Sequence, residues 1–145
     1  MKKALFLLSS LMLFLLGCSS NYVPIKATAW EFESASTAYH SQRGYLYAEN
    51  EKNKSDNSDE RCMYISCSLE AEDETFVIKD ITNGFTYSGS YRLKNKEIET
   101  SVYTVKINDT EGYAVTGKTA YADQSERKTL ILVVGEYTLY FYETK

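Results

Sequence analysis

Nucleophilic acyl transfer needs a base within reach of a hydroxyl, because the imidazole must take the proton as the oxygen attacks. His40 is the one histidine in the chain, and Ser34, Ser36 and Ser41 surround it in sequence. Sequence neighbours seldom adopt that geometry. Tyr87-Ser88-Gly89 also lacks the G-x-S-x-G pattern of a nucleophile elbow, so His40 reads as an exposed loop residue. Glu70, Glu72, Asp73 and Glu74 would suit glycoside acid–base chemistry only with one carboxyl buried and its pKa raised. A run of acids between two strands reads instead as a solvated turn. Asp56, Asp59 and Glu60 have neither the spacing of a calcium loop nor the glycine such a loop needs. The sequence therefore predicts no catalytic residue, no metal and no cofactor: the chain is read as a non-enzyme.

The remaining chemistry belongs to three cysteines, Cys18, Cys62 and Cys67. Cys62 and Cys67 would be free to oxidise outside the cytoplasm. Five residues of extended strand cover about 16 Å, whereas bridged Cα atoms lie about 4.4–6.8 Å apart. Either Met63 to Ser66 turn back and a disulfide forms, or the segment is one strand with its thiols on opposite faces. The disulfide is the expectation. Zinc fits least, with a single histidine and no second cysteine pair.

Cys18 closes a different pattern. Lys2-Lys3 is a positive start, Ala4 to Leu16 an apolar run too short to span a bilayer, and Leu15-Leu16-Gly17-Cys18 ends it. This resembles the signal of bacterial lipoproteins. The resemblance implies a signal peptide over 1–17, cleavage before Cys18, and a diacylglyceryl group and N-acyl chain such as palmitate on that residue. Two or more acyl chains hold a protein stably on a membrane. Ser19 in place of aspartate implies the outer membrane in a Gram-negative cell, or the outer face of the plasma membrane in a Gram-positive one. Residues 18–27 are expected to be the lipidated cysteine and tether, and 28–145 the folded domain.

Loss of the signal moves the formal charge from −4 to −6, which argues against nucleic acid and against electrostatic attachment to anionic lipid. Thirteen tyrosines and one proline favour pleated, half-buried positions, so the domain leans to sheet. Gly135-Glu136 suits a two-residue hairpin turn. It would oppose Val134 to Tyr137, Leu132 to Leu139, Leu130 to Phe141 and Lys128 to Glu143. Asn83-Gly84 suits a second, opposing Phe76 to Tyr91 and Ile78 to Gly89. A third turn at Asn95-Lys96 would bring Ile98 opposite Leu93. Thr28 to Phe32, Gly44 to Glu49 and Arg61 to Leu69 are further expected strands. Ser34 to Arg43 is the one stretch expected to harbour a helix, and Glu49 to Arg61 reads as a mobile loop. The pattern is all-β: an antiparallel meander of about eight strands, closed into a barrel so that no edge is left.

Trp30-Glu31-Phe32, Phe76-Val77-Ile78, the strand Tyr87 to Leu93 and Thr129-Leu130-Ile131-Leu132 resemble, in order, the strands of small bacterial lipocalin-like domains. The resemblance implies a calycin-type barrel. Thr28 stands where the first lipocalin motif has glycine. Tyr87, Tyr91, Leu130, Leu132 and Phe141 are then the candidate lining of a site for a small apolar ligand, with phenol hydroxyls to orient it. The alternative use of the same side chains is to fill a small barrel. Exposed tyrosines would then suit a protein partner. Ser88-Gly89-Ser90-Tyr91 resembles, one residue short, the S-G-x-x-Y loop of a lysozyme-inhibitor lipoprotein family. The functional expectation is a lipid-anchored envelope protein binding a small apolar ligand in or near its barrel, the alternative being a protein-binding or inhibitory lipoprotein.

Overall fold

The computed structural model describes residues 23–37, 45–57, 59–120, 122 and 125–144. Cys18, the signal segment, His40 and Ser41 lie outside the described residues. Ten strands follow one another: β1 (Trp30–Thr37), β2 (Tyr45–Ala48), β3 (Cys62–Ile65), β4 (Cys67–Ala71), β5 (Thr75–Asp80), β6 (Phe85–Lys96), β7 (Ser101–Ile107), β8 (Thr110–Ala120), β9 (Glu126–Val134) and β10 (Tyr137–Glu143). From β4 to β10 each strand pairs with the next, β1 pairs with β4, and β10 returns to β1. Eight strands thus make a closed antiparallel barrel, as the meander predicts. One end, here called upper, carries the β5–β6, β7–β8 and β9–β10 turns. The lower end carries the entry to β1 and the end of β10.

The C-terminal hairpin has the expected register, with Tyr137 opposite Val134, Leu139 opposite Leu132 and Phe141 opposite Leu130. Gly135 makes its turn at φ 59°, and Gly84 sits at φ 72° in the β5–β6 turn. Lys128 Nζ lies 3.1 Å from the Glu143 carboxylate at the open end.

The β5–β6 register corrects the sequence reading. Phe76 faces Gly89 and Ile78 faces Tyr87, two residues from the expected pairing. The cause is the side chain of Asp80: its carboxylate accepts from Asn83 N–H (3.0 Å) and Asn83 Nδ2 (2.8 Å), widening the turn to Ile81–Gly84. Ile81 N–H donates to Ser66 C=O, and Thr82 Oγ1 accepts from Ser66 N–H. A shift of two keeps every side chain on its expected face.

Three more expectations are corrected. β6 continues through Asn95-Lys96, so Leu93 faces Tyr103, and Ile98 lies in a turn closed by Glu97 N–H to Thr100 C=O. Ser34 to Thr37 belong to β1, while the described helix, α1 (Glu51–Asp56), lies in the segment read as a mobile loop. Asn50 caps it, its side chain accepting from Asn53 N–H at 2.8 Å. The third concerns the thiols: Cys62 and Cys67 are both free. Cys62 faces Tyr45 on β2, whereas Cys67 faces Asp80 on β5, because Met63–Ser66 run on down the sheet rather than turning back.

β2 and β3 stand beside the barrel's closing seam. β2 pairs antiparallel with the upper part of β1 and parallel with β3. α1 lies against this flap, with Asn53 Nδ2 bonded to Ala48 C=O (2.9 Å) and Tyr64 Oη to Asn57 C=O (2.6 Å).

The core runs up the barrel axis through Trp30, Phe32, Leu69, Phe76, Ile78, Tyr91, Tyr103, Val105, Ala114, Leu130, Leu132 and Phe141. Its floor comes from the segment expected to be tether. Val23 and Ile25 are buried, and a 3-10 turn over Ile25–Ala27 crosses the lower end. Thr116 Oγ1 donates to Val23 C=O (2.6 Å), Trp30 Nε1 to Ile25 C=O (2.7 Å) and Ile25 N–H to Tyr103 Oη (3.3 Å). The packed domain therefore includes residues before Thr28.

Candidate functional site

Alternation along β6 turns Phe85, Tyr87, Gly89 and Tyr91 to the barrel interior, but height decides what each meets. Tyr91 sits low, 8% exposed. Its ring meets that of Tyr103 edge-on at 5.6 Å, and its hydroxyl donates to Glu72 C=O at 2.5 Å. Burial, first of all, raises its pKa. Tyr87 is two steps higher and 42% exposed, and Phe85 at the mouth is 57% exposed. Their rings stand 6.4 Å apart.

The expected ligand-lining set is thereby divided. Tyr91 joins Leu130, Leu132 and Phe141 in the packed interior. The last three are at most 1% exposed, which leaves no water-sized space against them. Tyr87 stands apart at the rim, with Phe85, Ile81 in the β5–β6 turn, Met63 on β3 and Tyr137 at the head of β10. These five account for most of the exposed large hydrophobic side chains among the described residues, so the exposed apolar surface is concentrated at the upper end. Sequence reading missed Phe85, Ile81 and Met63. The available signal was Ile81 and Phe85 flanking an Asn-Gly turn, where polar residues are usual.

Four of the candidate acids are held in separate ion pairs. Asp56 pairs with Lys52 at 2.7 Å. Asp59 pairs with Arg61 at 2.6 Å, whose hydrogen bonds lower its pKa to about 2. Glu70 meets Lys79 at 2.8 Å, and Asp73 meets Lys26. Among the described residues no group of three or more His, Cys, Asp or Glu side chains could hold a metal ion. Burial pushes the Cys67 thiol up to about 11, which disfavours the nucleophilic thiolate.

The lower end has a recess of about 420 Å³ against Ile25, Lys26, Asp73, Tyr91, Leu93 and Tyr103. It exists because β6 overhangs: β5 begins at Thr75, opposite Ser90, and leaves the rest of β6 paired only with β7.

No protein-family model, no curated protein and no solved structure matches this chain.

Proposed function

We propose that the chain is a lipid-anchored, non-catalytic binding protein of the bacterial envelope, a lipocalin-like barrel that recognises a protein partner through its upper rim. One contrast carries the reading: interior side chains such as Leu130 and Phe141 are sealed, while Met63, Ile81, Phe85, Tyr87 and Tyr137 stand exposed at one end. A pocket for a small apolar molecule encloses most of its ligand, which a filled barrel does not favour. Aromatic and methionine side chains around a rim suit the broad contact of a protein interface.

The N-terminal pattern supports the orientation. Val23 is packed at the lower end, five residues after Cys18, so acyl chains on Cys18 would keep that end within about 18 Å of the membrane. The rim then points away from the bilayer, towards a partner in the aqueous phase. Trp30-Glu31-Phe32 and the strands that follow support the lipocalin-like kinship in the order described above.

Native mass spectrometry of residues 19–145, made in an oxidising compartment, separates this reading from ligand carriage. An apo mass with a clean solvent extract is expected. A stoichiometric small apolar molecule would overturn protein recognition in favour of ligand binding.

A further inference from the structure

We infer that the recess at the lower end is a second binding site, independent of the rim, and that it takes a small zwitterion with an apolar body. An α-amino acid with a large aliphatic side chain is the simplest such molecule. Arg92 and Glu74 line the recess together with Ile25, Tyr91, Leu93 and Tyr103. Thr75 pairs with Ser90, and Tyr91 N–H donates to Glu74 C=O at 2.9 Å, so Glu74 lies beside Tyr91 and one residue from Arg92. Opposite charges thus border one concavity. Among the described residues neither side chain makes an ion pair or a hydrogen bond, whereas Lys26 and Asp73, on the same recess, are paired with each other.

That arrangement selects by charge and shape together. A simple anion would meet Glu74 and Asp73 as well as Arg92, and a simple cation would meet Arg92. A metal ion finds too few ligands, because no group of three or more His, Cys, Asp or Glu side chains comes together among the described residues. A molecule carrying both charges satisfies both side chains: its carboxylate accepts from the Arg92 guanidinium, and its ammonium donates to Glu74. Its aliphatic part would cover Leu93, which is 49% exposed, beside Ile25 and the Tyr103 ring. A volume of about 420 Å³ suits a ligand of that size.

The backbone gives an independent sign. Glu74 has φ 61°, in the left-handed region, which glycine and asparagine adopt readily and glutamate does not. The other non-glycine residue with positive φ among the described residues is Asn108. Folding alone would favour asparagine or glycine at position 74 too. The strained residue instead keeps a carboxylate at the recess, close enough to the Tyr91 hydroxyl to add to the upward pKa shift that burial, Tyr103 and Asp73 give it.

The test is a titration of L-leucine into the folded protein, followed by amide chemical shifts. Saturable binding is expected, with a Kd on the order of 1 mM or tighter and the largest shifts at Ile25, Glu74, Arg92, Leu93 and Tyr103. N-acetylleucine, which lacks the cation, and leucinamide, which lacks the anion, should each bind about tenfold more weakly. Glycine, which lacks the apolar part, should lose at least about tenfold as well. Glu74→Gln should remove the advantage of leucine over N-acetylleucine and keep that over leucinamide; Arg92→Gln should do the reverse. Glu74→Asn should raise the urea midpoint while weakening leucine binding, opposite movements that a purely structural residue does not give. Phe85→Ser at the rim should leave leucine binding unchanged, so this site and the rim stand or fall separately. Equal binding of leucine and its two blocked forms, shifts centred elsewhere, or no saturation by about 10 mM leucine would overturn the inference.

Discussion

The ring of Phe76 lies directly over Gly89, so close that a Cβ on residue 89 would overlap Cζ and both Cε atoms. The two are paired across β5 and β6, and Phe76 is 2% exposed. A glycine inside a strand is ordinarily unfavourable, yet here its missing side chain is the space that one core aromatic occupies. Gly89→Ala should therefore destabilise the domain by about 1–3 kcal/mol through overpacking, seen as a lower urea midpoint. Adding Phe76→Leu should recover part of the loss. A neutral Gly89→Ala would contradict this packing.

How far such features were legible in the sequence depends on what set them. Gly135-Glu136 fixed the last hairpin because a two-residue turn sets the register directly, putting Val134 opposite Tyr137. Asn83-Gly84 misled by two residues because the Asp80 carboxylate holds Asn83 and widens the turn. The direction of β6 side chains could be read, but Tyr87 and Tyr91 differ in height along the barrel, which periodicity does not carry. The parallel pairing of β2 with β3 joins two four-residue strands across α1, and no local pattern records it. Asn50 before Glu51, with Lys52 and Asp56 one helical turn apart, was a readable helix signal hidden by the segment's polarity.

The barrel floor gives a second test. Ile25 is 1% exposed, and its backbone bonds both Trp30 Nε1 and the Tyr103 hydroxyl. Ile25→Ala should cost about 2–5 kcal/mol, the range for an aliphatic side chain lost from a core. Trp30 is the chain's one tryptophan, so its emission should shift to the red as the floor loosens. An unchanged spectrum and midpoint would place this segment outside the folded unit.

Ser101 is 1% exposed and its hydroxyl has no hydrogen-bond partner. Burial without a partner carries the desolvation penalty and no return. Ser101→Ala should raise stability by about 1 kcal/mol. A loss of that size by chemical denaturation would reveal a hydrogen bond at this hydroxyl.

The thiols make a pH-dependent prediction. Protein from an oxidising compartment should retain both Cys62 and Cys67 as alkylatable thiols after denaturation. In the folded state Cys67 should react slowly at pH 8 and faster as pH approaches 11. Its pKa is raised by folding from 9.0 to about 11, so above pH 9 the unfolded chain ionises first. Stability from the neutral buried thiol is then present below pH 9 and lost between pH 9 and about 11. An intact mass showing a Cys62–Cys67 disulfide would contradict the strand geometry.

The most direct test of the account is site-specific photocross-linking in cells carrying the full-length protein. A benzophenone amino acid would replace Phe85 at the rim in one strain and the exposed Thr119 of lower β8 in another. The expected result is one discrete protein adduct from position 85, absent from position 119 and lost when Tyr87→Ser and Ile81→Ser are added. No adduct from position 85, or the same adducts from both positions, would contradict recognition of a protein through the rim.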